Sequence, residues 1–82
     1  MGYHKAKIKK GVVGEVSKIQ EEIDELKDAL SQNNRVMALV ELSDMCGAIS
    51  AFLDKHFQSI SMQDLLTMAA ATKSAFEDGS RQ

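Results

Sequence analysis

Two pairs of acids carry the chemistry this chain can offer. Glu22 and Glu25 are three residues apart, and so are Glu41 and Asp44. On a helix that spacing puts each pair on one face, about one turn apart. A Glu-x-x-Glu pair alone usually marks a solvated face, but the second pair differs in its setting. Glu41 and Asp44 are the only charged residues in the apolar run 36–53. Burying a carboxylate without a counter-charge is costly, and two neighbours also repel each other. No Lys or Arg lies in the run, so a divalent cation is the natural neutraliser. Four carboxylates make an all-oxygen cage, which suits Mg²⁺, with Mn²⁺ as the alternative hard cation. The absence of His and Cys from these faces argues against zinc. The chemistry that follows is metal-assisted attack of water on a phosphorus centre.

Helices must position these acids. Val12, Val16, Ile19, Ile23, Leu26 and Leu30 recur at steps of three and four, which predicts a helix over 12–30 with one apolar stripe. Glu15, Lys18 and Ala29 extend the Glu22–Glu25 face, which borders that stripe. Ser31-Gln32-Asn33-Asn34 reads as a short polar turn, with Asn33 or Asn34 as cap of the next helix. The second helix, 35–56, is apolar around almost its whole circumference and therefore expects cover on every side. An 82-residue chain has too little material for that, so a second subunit is expected to complete it. A third helix is predicted over 62–77, with Ser61 and Asp64 placed as a capping pair and Met62, Leu65, Ala69 and Phe76 along one face. A link as short as 31–34 favours an antiparallel pair, which brings Glu22 and Glu25 opposite Glu41 and Asp44. The expected fold is all-α: an antiparallel helical hairpin plus a third helix, assembling into an oligomeric helical bundle.

Composition limits the alternatives. The chain is one domain, 1–82, with a basic N-terminal arm or irregular lead-in at 1–10 and a tail at 78–82. The net charge of −2 gives no basic field for nucleic acid. Two acids inside 36–53 cost about 2.5–3.5 kcal/mol each near a bilayer centre, so the run is expected to be a buried helix and no membrane partner is expected. A single cysteine, Cys46, forms no internal disulfide, and no signal peptide is evident; the expected compartment is the cytoplasm.

The words Ile19-Gln20-Glu21-Glu22-Ile23-Asp24-Glu25-Leu26 and Val40-Glu41-Leu42-Ser43-Asp44 complete a pattern. They resemble the E-E-x-x-E … E-x-x-D signature of MazG-like nucleotide pyrophosphohydrolases. The run Ala71-Thr72-Lys73-Ser74-Ala75-Phe76-Glu77-Asp78-Gly79 is similar to that family as well, so the likeness extends over residues 14–81. The resemblance implies Mg²⁺-dependent hydrolysis of a nucleoside triphosphate to the monophosphate and pyrophosphate, in dimers or tetramers. It puts Glu22, Glu25, Glu41 and Asp44 in the ligand roles and makes Glu21 a residue that orients water or acts as base. Relatives acting on phosphoribosyl-ATP or dUTP are neighbouring readings. The chain is shorter than many members, so part of the nucleotide pocket is expected from a neighbouring subunit.

Other residues are assigned around that centre. Lys18 shares the Glu22 face and Lys73 sits at the edge of the third helix; both are expected to touch substrate phosphates, against the alternative of ordinary surface ion pairs. Tyr3 and His4, with the N-terminal lysines, are candidates for closing over the nucleotide, against the alternative of a solvated tail. Cys46 is expected to be buried as a small apolar residue, His56 to favour a helix C-terminus, and the methionines to fill core. No nucleophile–base pair and no phosphate-binding glycine loop is readable. The competing function is a non-catalytic helical oligomer serving as an assembly or regulatory module.

Overall fold

The computed structural model describes residues 6–77. They form three α-helices and, among the described residues, no strand: α1 (Val16–Ser31), α2 (Arg35–His56) and α3 (Met62–Glu77). The all-helical expectation holds, and α2 and α3 have the expected ends.

The helix α1 starts later than its apolar periodicity predicts, for reasons in the backbone. Gly14 sits at φ +92, a region open to glycine and strained for other residues. Glu15 follows in an extended conformation, and its N–H donates to the Val12 carbonyl at 2.9 Å. A Cβ at Gly11 would run into the Ser17 carbonyl, so only glycine fits there. Ahead of this corner the lead-in runs back along α1. The Gly11 N–H donates to Glu21 Oε1 at 2.8 Å, and the Ala6 N–H donates to Asp28 Oδ1 at 3.1 Å. The described part of the N-terminal arm is thus an irregular lead-in held by acids of α1. Tyr3, His4 and the tail 78–82 lie outside the described residues.

Caps fix the other helix ends. Asn33 takes φ 57, and Asn34 is the cap of α2, its Oδ1 accepting the Met37 N–H at 3.0 Å. At α3 the bonds are reciprocal. Asp64 N–H donates to Ser61 Oγ at 3.2 Å, and Ser61 N–H donates to Asp64 Oδ2 at 2.8 Å. Those bonds hold the Asp64 carboxyl below its usual range.

Packing departs from the sequence pattern in an informative way. The buried apolar residues are Ala29, Ala38, Ala48 and Leu53. Small residues let α1 and α2 approach closely. The face of α1 buried beside Ala29 includes Glu22, while Val16, Ile23 and Leu30 of the predicted stripe are exposed. On α2, Val36 and Leu39 are 72% and 68% exposed. The helix α3 touches α2 but not α1. Met62, Leu65, Thr72 and Ala75 are its half-buried residues, whereas Ala69 and Phe76 are exposed. The chain leaves 6053 Å² accessible, against about 4,900 Å² for a compact domain of this size.

Candidate metal centre

Side chains from two helices converge on one point. Glu22 and Glu25 come from α1, Glu41 and Asp44 from α2. One carboxylate oxygen from each lies within 4.8 Å of all the others. Glu41 is 1% exposed and Glu22 4%, Glu25 is half-buried, and Asp44 is open to solvent. The cluster is therefore closed around Glu41 and Glu22 and open at Asp44.

Its electrostatics are those of charges short of donors. Burial pushes the Glu22 carboxyl above its usual range, and the neighbouring Glu25 and Asp44 push it further; Lys18 opposes them. Burial likewise pushes Glu25 up, with Glu41 adding to it. Glu22 Oε1 is buried and meets no N–H or O–H donor among the described residues. An unpartnered oxygen with three further carboxylates beside it suits a hard cation, and the donor set is all oxygen.

Glu21 is next in sequence and differs in surroundings. One oxygen accepts the Gly11 N–H and the other accepts from Lys18 Nζ at 3.2 Å, with Lys10 Nζ at 3.7 Å. Burial alone would raise its pKa, but Gly11, Lys18 and Lys10 together hold it below the usual range. Lys18 also reaches Glu22 Oε2 at 3.5 Å. Burial disfavours its charge, yet Glu21 and Glu22 outweigh that and raise its pKa.

A cleft of about 370 Å³ lies against the cluster. Lys18, Glu22 and Asp44 form its polar wall; Val13, Ser43, Gly47 and Ala48 complete it. The sequence reading did not single out Val13, Ser43 or Gly47. The spacing of Ser43 and Gly47, four apart beside Asp44, was the available signal for a shallow floor of small residues. A Cβ at Gly47 would meet nothing within 4 Å, so the floor is open there.

Other predicted residues fall elsewhere. Lys73 is exposed on α3 and does not line the cleft. Tyr3 and His4 lie outside the described residues. Cys46, expected to be buried as a small apolar residue, is exposed. His56, with Lys55, ends α2 as the helix dipole favours, and both face Glu15: Lys55 Nζ pairs with its carboxylate, and His56 Nε2 lies 3.7 Å away. This clamp joins the start of α1 to the end of α2. Compared with protein-family profiles, with curated proteins and with solved structures, the chain has no match.

Proposed function

We propose that this chain is a Mg²⁺-dependent nucleotide pyrophosphohydrolase of the MazG-like kind. On this reading it hydrolyses a nucleoside triphosphate to the monophosphate and pyrophosphate. The observation that carries the reading is the convergence of four carboxylates within 4.8 Å around Glu41, a residue with 1% of its surface exposed. Glu22, Glu25, Glu41 and Asp44 would hold the cation, which when bound supplies charge neutralisation and an activated water. The cleft beside Asp44 receives the polyphosphate, and Lys18 on its wall faces the phosphate oxygens. Val13, Ser43 and Gly47 shape the space next to the phosphates. Glu21, whose oxygens are already engaged by Gly11 and Lys18, acts as a positioning residue for Lys18.

The architecture in this reading is an antiparallel hairpin of α1 and α2, with α3 attached, assembled into a dimer or tetramer. The Glu15–Lys55 clamp and the Glu22–Asp44 proximity support the antiparallel pairing. Exposed Val36, Leu39 and Leu42 on α2, with Val16 and Leu30 on α1, support self-association, since apolar faces of this extent are usually covered. By length and composition α2 could cross a membrane. The acids at its middle and their convergence with α1 support instead a core helix in a cytoplasmic protein.

The test is release of pyrophosphate from a panel of nucleoside triphosphates with Mg²⁺ and with chelator. Activity is expected with Mg²⁺ and lost with chelator, and Glu41→Gln and Asp44→Asn are each expected to abolish it. Full activity in both variants refutes the site. The same exposed apolar faces favour a second reading, a helical assembly module whose acids bind metal without catalysis. Stable oligomers with no turnover on any nucleotide would select it.

A further inference from the structure

Lys18 stands between Glu21 and Glu22. Its Nζ is 3.2 Å from Glu21 Oε2 and 3.5 Å from Glu22 Oε2, and only 26% of its side chain is exposed. It lines the same cleft as Asp44. Its reach into the cage stops at one oxygen: Glu22 Oε1 remains buried with no donor among the described residues. One ammonium cannot neutralise several carboxylates, so it compensates the cage only in part.

A divalent cation in the cage would bond oxygens at about 2.0–2.1 Å and claim the Glu22 carboxylate that Lys18 now faces. Two cations that close repel strongly away from bulk water. Glu21 gives Lys18 a second anchor, so the ammonium can leave Glu22 without becoming an unpaired partly buried charge. From that anchor the flexible stem reaches the cleft.

We infer that Lys18 is the resident counter-ion of the carboxylate cage: it holds Glu22 while no divalent cation is bound, yields Glu22 to the cation, and turns on Glu21 toward a polyphosphate in the cleft. This role rests on the metal-dependent reading above and assigns Lys18 two opposed effects: it competes with the metal and it aids the phosphates. A lysine that merely stabilises the fold would not separate the two.

The experiment is calorimetric titration of the full chain with Mn²⁺ alone, then of the Mn²⁺-loaded chain with inorganic triphosphate. Lys18→Met and Lys18→Gln are made in parallel, with circular dichroism to establish that at least one is folded. The neutral variants are expected to bind Mn²⁺ at least about fivefold tighter than wild type. Loaded with Mn²⁺, they are expected to bind triphosphate at least about fivefold weaker. Lys18→Arg should restore both values toward wild type. Equal or weaker Mn²⁺ binding by the folded neutral variants, beside a wild type that binds it, overturns this role and leaves the metal site standing. Unchanged triphosphate binding overturns the turn toward phosphate. A wild type that binds no Mn²⁺ overturns both this role and the reading it rests on.

Discussion

Glu21 and Glu22 are adjacent, identical and both buried, yet they end in opposite electrostatic states. Glu21 points to the lead-in and receives the Gly11 N–H and two lysines, so its carboxylate is held below the ordinary range. Glu22 points to α2, where the approaching groups are Glu25, Asp44 and a single lysine, and its carboxyl is pushed above that range. Seven residues after Glu21, Asp28 repeats the engaged pattern, its oxygens accepting from the Ala6 N–H and from Gln32 Nε2. Thus α1 has acids completed from within the chain, Glu21 and Asp28, and acids gathered against those of α2, Glu22 and Glu25. A helix turns about 100° per residue, and that single step separates the two surroundings.

The sharpest way to break the contrast is to neutralise each neighbour in turn. Glu21→Gln removes an engaged charge and should destabilise the chain by about 1–3 kcal/mol in chelator. Glu22→Gln removes a buried charge that Lys18 offsets only in part and should leave the metal-free chain as stable as wild type or more so. On the metal-dependent reading, Mg²⁺ should raise the melting temperature of wild type and of Glu21→Gln but not that of Glu22→Gln. Chemical denaturation and thermal melts with and without Mg²⁺ read both. Equal destabilisation by the two variants would show that the two acids do not differ.

Protons probe the same difference. Glu22 and Glu25 have folded pKa values above the ordinary 4.5. Their contribution to stability is present below 4.5 and is lost as the pH rises through the folded values. Glu21 has a folded value below 4.5, so its contribution is present above 4.5 and is lost as the pH falls through that value. By linkage, the metal-free wild type should lose stability on going from pH 4.5 upward through the range where Glu22 and Glu25 ionise. Mg²⁺ should reverse that slope, because the cation competes with the protons for the same oxygens. In Glu22→Gln both the slope and its reversal should shrink. Melting curves at stepped pH, in chelator and in Mg²⁺, measure it.

The sequence showed the clustered acids better than the engaged acids of α1. The pair Glu41 and Asp44 was legible because charge inside an apolar helix is conspicuous, and helix periodicity placed it opposite Glu22 and Glu25. The limits of α2 and α3 were legible from Asn34, Ser61 and Asp64, whose side chains cap locally. Glu21 was expected to orient water or act as base and Asp28 was given no role, because their bonds to the backbone N–H groups of Gly11 and Ala6 leave no mark in the sequence: any residue but proline offers those. The start of α1 was misplaced for the same reason: Val12 and Val16 keep the helical period, and the decisive features are the Gly14 φ and the fold-back of the lead-in. The apolar stripe of α1 was legible as a stripe, but its period did not say that Val16, Ile23 and Leu30 stay exposed while the bordering Glu22 face is buried. Small Ala29, Ala38 and Ala48 allow the close approach that packs the acids inward and leaves Val16, Ile23 and Leu30 outward.

Asp28 tests whether the engaged acids of α1 are structural. Asp28→Ala removes the acceptor for the Ala6 N–H and for Gln32 Nε2 and should cost about 1–2 kcal/mol. The loss should be local first. Amide hydrogen exchange is expected to quicken at residues 6–11, while the Mg²⁺-induced rise in melting temperature persists. Loss of the Mg²⁺ response together with the lead-in would mean that the engaged and the clustered acids work as one network.

The smallest effect separates the partners of Glu21 from one another. Lys10 lies 3.7 Å from its carboxylate, but the lysine side chain is 81% exposed. Water and salt screen such a charge, so Lys10→Ala should change stability by no more than about 0.5 kcal/mol. The Gly11 N–H is the opposite case: it has no side chain to truncate, lies 2.8 Å from the other oxygen, and is locked by the close pass against Ser17. If Lys10→Ala costs as much as Glu21→Gln, the engaged state of Glu21 comes from surface charge, and raising the salt concentration should abolish it. If the cost is negligible and salt has little effect, the backbone donor and Lys18 hold Glu21, and the contrast with Glu22 is built into the fold of the lead-in.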